Sequence, residues 1–277
     1  MGQYSVETSL YREVTILKDT FFTPPFNVVE VREDKSNPLL EVMIMSSSPG
    51  FFNHDHYKID VNVKKETLLN IQTQSYQRVY DTPDGARQEM NVNIEENAYF
   101  SHLPHPSVPH KGAIFNSKNT INLAANSVLV WGEILACGRK LNGESFAFIK
   151  YNSLTEIYRE GKLFYKDNLY LKPSAIDFKS IGQYEEFTYQ ANFVSIDPFH
   201  SVKEHIELMT TVLAEEEDMI FGVSKLSEDA CAIRVLGNSG EQLFIALKKI
   251  RIQLDNQANA LRKKEIEIKL IEIWNQS

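Results

Sequence analysis

Three stretches, NVKKETLL (62–69), NIEENAYF (93–100) and NLAANSVL (122–129), repeat one turn at the joint between two runs of alternating apolar and polar residues. Asn93 follows Asn62 by 31 residues and Asn122 follows Asn93 by 29. About thirty residues therefore make one strand, one sharp turn and the next strand before the pattern returns. Such a chain builds layered sheet from repeated two-strand units, which favours a scaffold with broad faces and seams over a compact nucleotide enzyme. Around the turns Tyr57, Ile59, Val61 and Val63 alternate with His56, Lys58, Asp60 and Asn62, and Met90, Val92 and Ile94 alternate with Glu89, Asn91 and Asn93. This period of two predicts strands with one wet face. Turn chemistry punctuates them at SSSPG (46–50), DTPDG (81–85), LPHPSVP (103–109) and LNG (141–143).

The alternating regime ends near Asp197-Pro198. VKEHIELMTTVLAEEED (202–218), with Val202, Ile206, Met209 and Leu213 on one stripe, predicts an amphipathic helix. MIFGVSKL and ACAIRVLG then predict a strand pair, and GEQLFIALKKIRIQL a second helix with Ser239 as its N-cap. In the tail EIEIKLIEIW (265–274), the alternation of Ile266, Ile268 and Leu270 favours a strand, and the Glu and Lys content a helix extension. The expected organisation is a layered β domain over 1–196 and a helix–strand–strand–helix portion over 197–277 packed on it.

With 43% hydrophobic and 24% charged residues the 277-residue chain has an ordinary globular balance. A net charge of −8 and the lack of a basic cluster argue against a nucleic-acid partner. Cys137 and Cys231 stand far apart in dissimilar contexts, as small apolar fillers in a reducing compartment do. The N-terminal MGQYSVETSL carries no apolar signal region, and no run approaches membrane-spanning length, so the expectation is a cytoplasmic protein with no membrane partner.

GRKLNGES (138–145) has the spacing of a phosphate loop, but Glu144 stands where the phosphate-binding lysine must be, so it reads as a Gly-bounded turn. His54 and His56 flank Asp55 in NHDHY; on a strand such a pair projects both imidazoles to one face, with Asp60 as a third ligand for a first-row metal. That face also carries Lys58 and Asn62, which fits simple solvation equally well. His102, His105 and His110 lie in a Pro-rich loop, either exposed or able to hold an ion transiently. Three carboxylates fall at apolar parities. Asp55 shares a face with Tyr57, Ile59 and Val61; Asp167 shares one with Leu163, Tyr165, Leu169 and Leu171; Glu133 interrupts VLVWGEILAC. Each should point inward, and a buried carboxylate needs a partner. Arg78, Arg139 and Arg159 are the available charge partners. The two readings are internal ion pairs, or a hydrated, acid-lined passage for cations.

These residues also carry a resemblance. The order SPG…HD near 48–55, IQTQSYQRVYDT (71–82), LPHPSVP (103–109), WGEILACGRKLNGESFAF (131–148) and then KLFYKDNLYL resembles the urease accessory protein family UreD, called UreH in some organisms. The likeness covers most of 10–175 and continues more weakly to Trp274; FFTPPF (21–26) and SPGFF bring it nearest the epsilon-proteobacterial type. It implies a mainly β fold, a layered β-helix-like array with two helices in a C-terminal βα portion. It also implies a non-enzymatic chaperone that docks on apo-urease, pairs with UreF and recruits the GTPase UreG, with no permanently bound cofactor and Ni2+ in transit. Asp55 matches the Asp of the family's G-G-D element, Glu133 the acidic residue before the G-R pair, and Asp167 the acidic residue of the later strand, all positions of an internal nickel passage. The chain departs from the family where Asn53-His54 replaces Gly-Gly, where His105 replaces an Asp and where His110 replaces an aromatic. These changes, together with the pairing of His56 with His54, make His54, His56, His105 and His110 candidate transient metal ligands.

Two other classes compete. A cupin-like metal enzyme is suggested by His54, His56 and Asp60 after Gly50, but the His spacing, the Glu expected at Asp60 and a matching second half are missing. A carbohydrate-binding β-solenoid would need an exposed aromatic groove and normally an export signal.

Overall fold

The computed structural model describes residues 1–276, with side chains described for 1–268 and 271. The strands of the first layers are β1 (Gly2–Tyr11), β2 (Val14–Phe22), β3 (Phe26–Glu30), β4 (Leu39–Ser46), β5 (His56–Val63), β6 (Leu68–Thr73), β7 (Gln77–Val79) and β8 (Ala86–Ile94). They continue as β9 (Tyr99–His102), β10 (Ser107–Pro109), β11 (Ile114–Leu123), β12 (Val128–Ala136), β13 (Lys150–Arg159), β14 (Lys162–Leu171) and β15 (Tyr189–Ile196). The remainder is α1 (Val202–Ala214), β16 (Met219–Ser227), β17 (Ala230–Gly237) and α2 (Gly240–Gln276).

Two sheets result, one ordered β14-β13-β11-β8-β5-β1-β2 and the other β16-β17-β15-β12-β9-β6-β4-β3 with β7 and β10 alongside. Their centres are parallel: β1, β5, β8, β11 and β13 in the first, β4, β6, β9 and β12 in the second. The chain passes from first sheet to second five times, and the three central passages, β5 to β6, β8 to β9 and β11 to β12, are the copies of the repeated turn. The fold is thus mainly β and wound as the repeat requires, with antiparallel strands closing the edges.

Each turn has the same construction. The amide of Thr67, Ala98 and Ser127 donates to the carbonyl three residues earlier, Lys64, Glu95 and Ala124 respectively. The residue before it is left-handed in every copy: Glu66 at φ 61°, Asn97 at 56° and Asn126 at 55°. Asn tolerates this region better than most side chains because its short amide bonds locally. The turns also bond to one another, Tyr99 N–H to Thr67 O and Val128 N–H to Ala98 O, both at 2.9 Å. On the outer face Asn122 Nδ2 donates to Asn93 Oδ1 at 2.9 Å and Asn93 Nδ2 to Asn62 Oδ1 at 3.1 Å, a ladder of identical side chains.

The apolar faces of the two sheets meet around Val61, Met90, Val92, Phe100, Ile121, Leu129, Trp131 and Ile157. The other face of the ten-stranded sheet is covered by α1 and α2, through Val130, Phe193, Ile233, Met209, Leu243 and Leu247. β6, β9, β12 and β15 therefore lie between two layers and are largely buried at both parities, whereas the first sheet keeps one wet face. β16 and β17 continue the ten-stranded sheet, and Ser239 Oγ accepts the Gln242 amide at the start of α2, as an N-cap does. The 265–274 tail is helix, part of α2, which reaches Gln276. No helix among the described residues is long and apolar enough to cross a membrane.

Because the turns are identical in backbone, a β-branched residue at the left-handed position should be costly. We expect Asn97→Val and Asn126→Val each to lose about 1–2 kcal/mol in denaturant unfolding, and Asn97→Gly to lose much less.

Candidate functional site

Along β12 the side chains of Leu129, Trp131, Glu133 and Leu135 face the first sheet, while Val128, Val130 and Ile134 face the helices. Glu133 thus projects between the sheets, as its parity predicts. Its neighbours there belong to β11 and β13. Asn119 Nδ2 and Ser153 Oγ donate to Oε1 at 3.0 and 2.9 Å, and Thr155 Oγ1 donates to Oε2 at 3.1 Å. No cation reaches it among the described residues. Burial pushes the Glu133 carboxyl above its ordinary range; the hydroxyl donors oppose this and the nearby charge of Asp167 adds to it.

Asp167, on β14, accepts from Asn192 Nδ2 at 2.6 Å and from Arg234 Nη2 at 2.7 Å. Registers explain the meeting. Asn119 pairs with Thr155 and Thr155 with Asp167 across the first sheet, while Glu133 pairs with Asn192 and Asn192 with Arg234 across the second. One level of the winding is therefore polar on both walls, and it ends at a guanidinium that is 63% exposed. Beside Glu133 lies a cavity of about 40 Å3, lined also by Trp131, Ser117, Asn192, His102 and His105, with room for a few water molecules. A second cavity of about 100 Å3, bounded by Ser48, Tyr57 and Tyr76, shares Gln77 and Gln88 with the first.

Asp55 sits at that second end, before β5. Its Oδ2 accepts the Phe52 amide at 2.7 Å and the Tyr57 hydroxyl at 3.4 Å, so it closes a turn behind the cavity wall and is half-buried. The three acids are not one cluster: Glu133 and Asp167 share a level, and Asp55 stands apart from it.

The expected charge partners are engaged elsewhere or differ. Arg139 is paired with Glu144, whose carboxylate also accepts the Lys111 amide, so GRKLNGES is a short 3-10 turn tied by its own ion pair. Arg159 pairs with Asp229 at 3.0 Å. Arg78 contributes its backbone, accepting from the Phe51 amide and pairing through β7 with β10. The cation beside Asp167 is Arg234, which lies in the predicted ACAIRVLG strand but is not among the expected charge partners. Leu163 also departs from expectation. A bulge between Ile157 and Tyr158 shifts the register, so Leu163 turns outward and Phe164 packs inward.

The histidines are similarly dispersed. His54 precedes the strand with φ 67° and lies 3.4 Å from Asp84, so it does not share a strand face with His56. His56 bonds Glu89 at 3.0 Å and Asp60 accepts from Asn91 at 3.1 Å, each satisfied by the neighbouring strand. His102 and His110 are buried, contrary to an exposed loop; His102 contacts the Ile71 carbonyl, and burial holds its pKa at about 4. His105 bonds Thr73 and stacks on Phe244 at 4.2 Å, at the wall of the first cavity. His110 packs edge-on against Tyr80. Burial lowers the pKa of both. Among the described residues the one group with three converging ligand atoms is elsewhere: Asp197, His200 and His205. Sequence reading missed Asn119, Ser153, Thr155 and Asn192. The parity rule that found the acids finds them too, once applied to uncharged polar residues.

The raised carboxyl of Glu133 has a signed consequence. A carboxyl whose folded pKa exceeds its unfolded value favours folding while protonated, and that contribution is lost as pH rises from about 4.5 through the folded value. We expect the melting temperature of Glu133→Gln, measured against the parent chain, to gain with pH over that window and to level off above it.

Comparison with known proteins follows the same outline. The family model described as UreD urease accessory protein matches residues 1–267. A urease accessory protein UreD of Flavobacterium johnsoniae is 45% identical over 239 residues, 86% of each chain. One of Acetivibrio thermocellus is 32% identical over 86% of this chain and 90% of its own. One of Haemophilus influenzae strain PittGG is 34% identical over 85% of this chain and 92% of its own. With nearly its whole length matched by the family and its relatives, this chain belongs to the UreD urease accessory protein family.

Proposed function

We propose that this chain is a non-catalytic maturation scaffold of the cytoplasm that docks on apo-urease, pairs with UreF and through it recruits the GTPase UreG, so that nickel reaches the urease active site through the interior of the fold. The observation that carries the reading is the polar level holding Glu133 and Asp167 between otherwise apolar sheets. A carboxylate with three neutral donors beside a small cavity with room for water suits brief contact with a cation better than permanent coordination. The shared glutamines Gln77 and Gln88 extend the polar lining toward the other end, where Asp55 stands behind the wall on the Tyr57 hydroxyl, and His105 offers an imidazole at the wall of the first cavity. No resident cofactor is part of this reading; Ni2+ is cargo. FFTPPF and SPGFF support the epsilon-proteobacterial subtype as its finer assignment.

The test is urease activity beside pull-down of the assembled complex. Removing Asp167 leaves an arginine already in solvent, and removing Glu133 strands no cation, so alanine variants should fold and keep their partners. We expect urease activation to fall in Glu133→Ala/Asp167→Ala by about tenfold or more, the scale on which a charged cleft concentrates an ion. Full activation by the triple variant with Asp55→Ala, in an intact complex, would overturn the passage. Co-expression with UreF should raise the soluble yield of the chain and give a co-eluting complex on size exclusion.

A further inference from the structure

β15 ends at Ile196, and the five residues before α1 carry Asp197 and His200, with His205 one turn into the helix. The Asp197 carboxylate is fixed from two sides. Oδ1 accepts the Phe199 amide at 2.8 Å, and Oδ2 lies 2.8 Å from His200 Nδ1 and 3.7 Å from His205 Nε2. The three ligand atoms all lie within 4.8 Å of one another, and the two distances from Oδ2 bracket the edge of about 3.3 Å that bonds of 2.0–2.1 Å give in a tetrahedral site. His205 is only 2% exposed, yet its Nε2 has no hydrogen-bond partner. Gln257 approaches from α2 but completes no hydrogen bond with it. A buried imidazole nitrogen left unpaired and aimed at a carboxylate is costly unless something else satisfies it. The other nitrogen, Nδ1, lies 3.2 Å from Ser195 Oγ, which fixes the ring in the way outer hydrogen bonds orient metal-bound histidines. Next to Asp197 and His200 a cleft of about 30 Å3, walled by Phe199, Ala258 and Leu261, has room for a water as fourth ligand.

We propose that Asp197, His200 and His205 bind one divalent first-row transition ion, with two imidazoles and one carboxylate as ligands and water in the fourth position. The ion pins the start of α1 to the end of β15, independently of any nickel movement between the sheets. Two nitrogens and one oxygen select zinc, cobalt or nickel over calcium or magnesium.

The full chain, stripped with chelator and dialysed, is titrated separately with Zn2+, Ni2+ and Co2+. Binding of one ion per chain is expected, with a visible Co2+ spectrum of tetrahedral or five-coordinate type and a rise in melting temperature. Loss of one ligand should weaken affinity by about 10–100-fold or more in His200→Ala, Asp197→Asn and His205→Gln. The His105→Asn/His110→Asn chain should retain the one-ion isotherm. His200 is partly exposed, so its variant should fold even if the buried His205→Gln does not. A parent chain that takes up none of the three ions, or a His200→Ala chain whose isotherm matches the parent's, would overturn the site.

Discussion

The structure depends on one constraint: successive turns must stack at strand spacing while each carries the chain from one sheet to the other. The amide three residues on, the left-handed residue before it and the bonds from turn to turn meet that constraint in every copy. The Asn62–Asn93–Asn122 ladder holds the same register on the outer face. Once the turns are aligned, parallel strands on both sides are aligned as well, and side chains thirty or so residues apart fall at one level.

That alignment is what makes a polar level conceivable in an apolar interior. Asn119, Thr155 and Asp167 come from adjacent strands of one sheet, and Glu133, Asn192 and Arg234 from adjacent strands of the other. Neutral donors satisfy Glu133, so it needs no buried arginine, while the charge of Asp167 is balanced at the surface.

The helices finish the second sheet. They cover a face that would otherwise be apolar and exposed, and they are tied to the layers by polar contacts as well as packing. Tyr99 of β9 donates to Asp255 of α2, which Arg251 also contacts, and Arg262 reaches Glu13 and Glu66 at the ends of the layered part. Glu66 is itself the left-handed residue of the first repeated turn, so α2 grips the element on which the winding depends.

The sequence by itself determined the repeated turn, the strand parities, the change of period at Asp197 and the two helices, because each rests on neighbours within one turn or one strand. Parity also sent Glu133 inward. Only the tertiary structure decided what Glu133 and Asp167 would meet, since their partners lie on other strands and the levels of two sheets must first be matched. A single bulge at Ile157/Tyr158 turned Leu163 outward, and a left-handed residue at His54 kept it off the strand that carries His56; neither irregularity changes the local pattern of residue types. The convergence of Asp197, His200 and His205 was hidden for a similar reason. Their spacing means little until a strand end, a five-residue connection and the first turn of a helix fold over the same point.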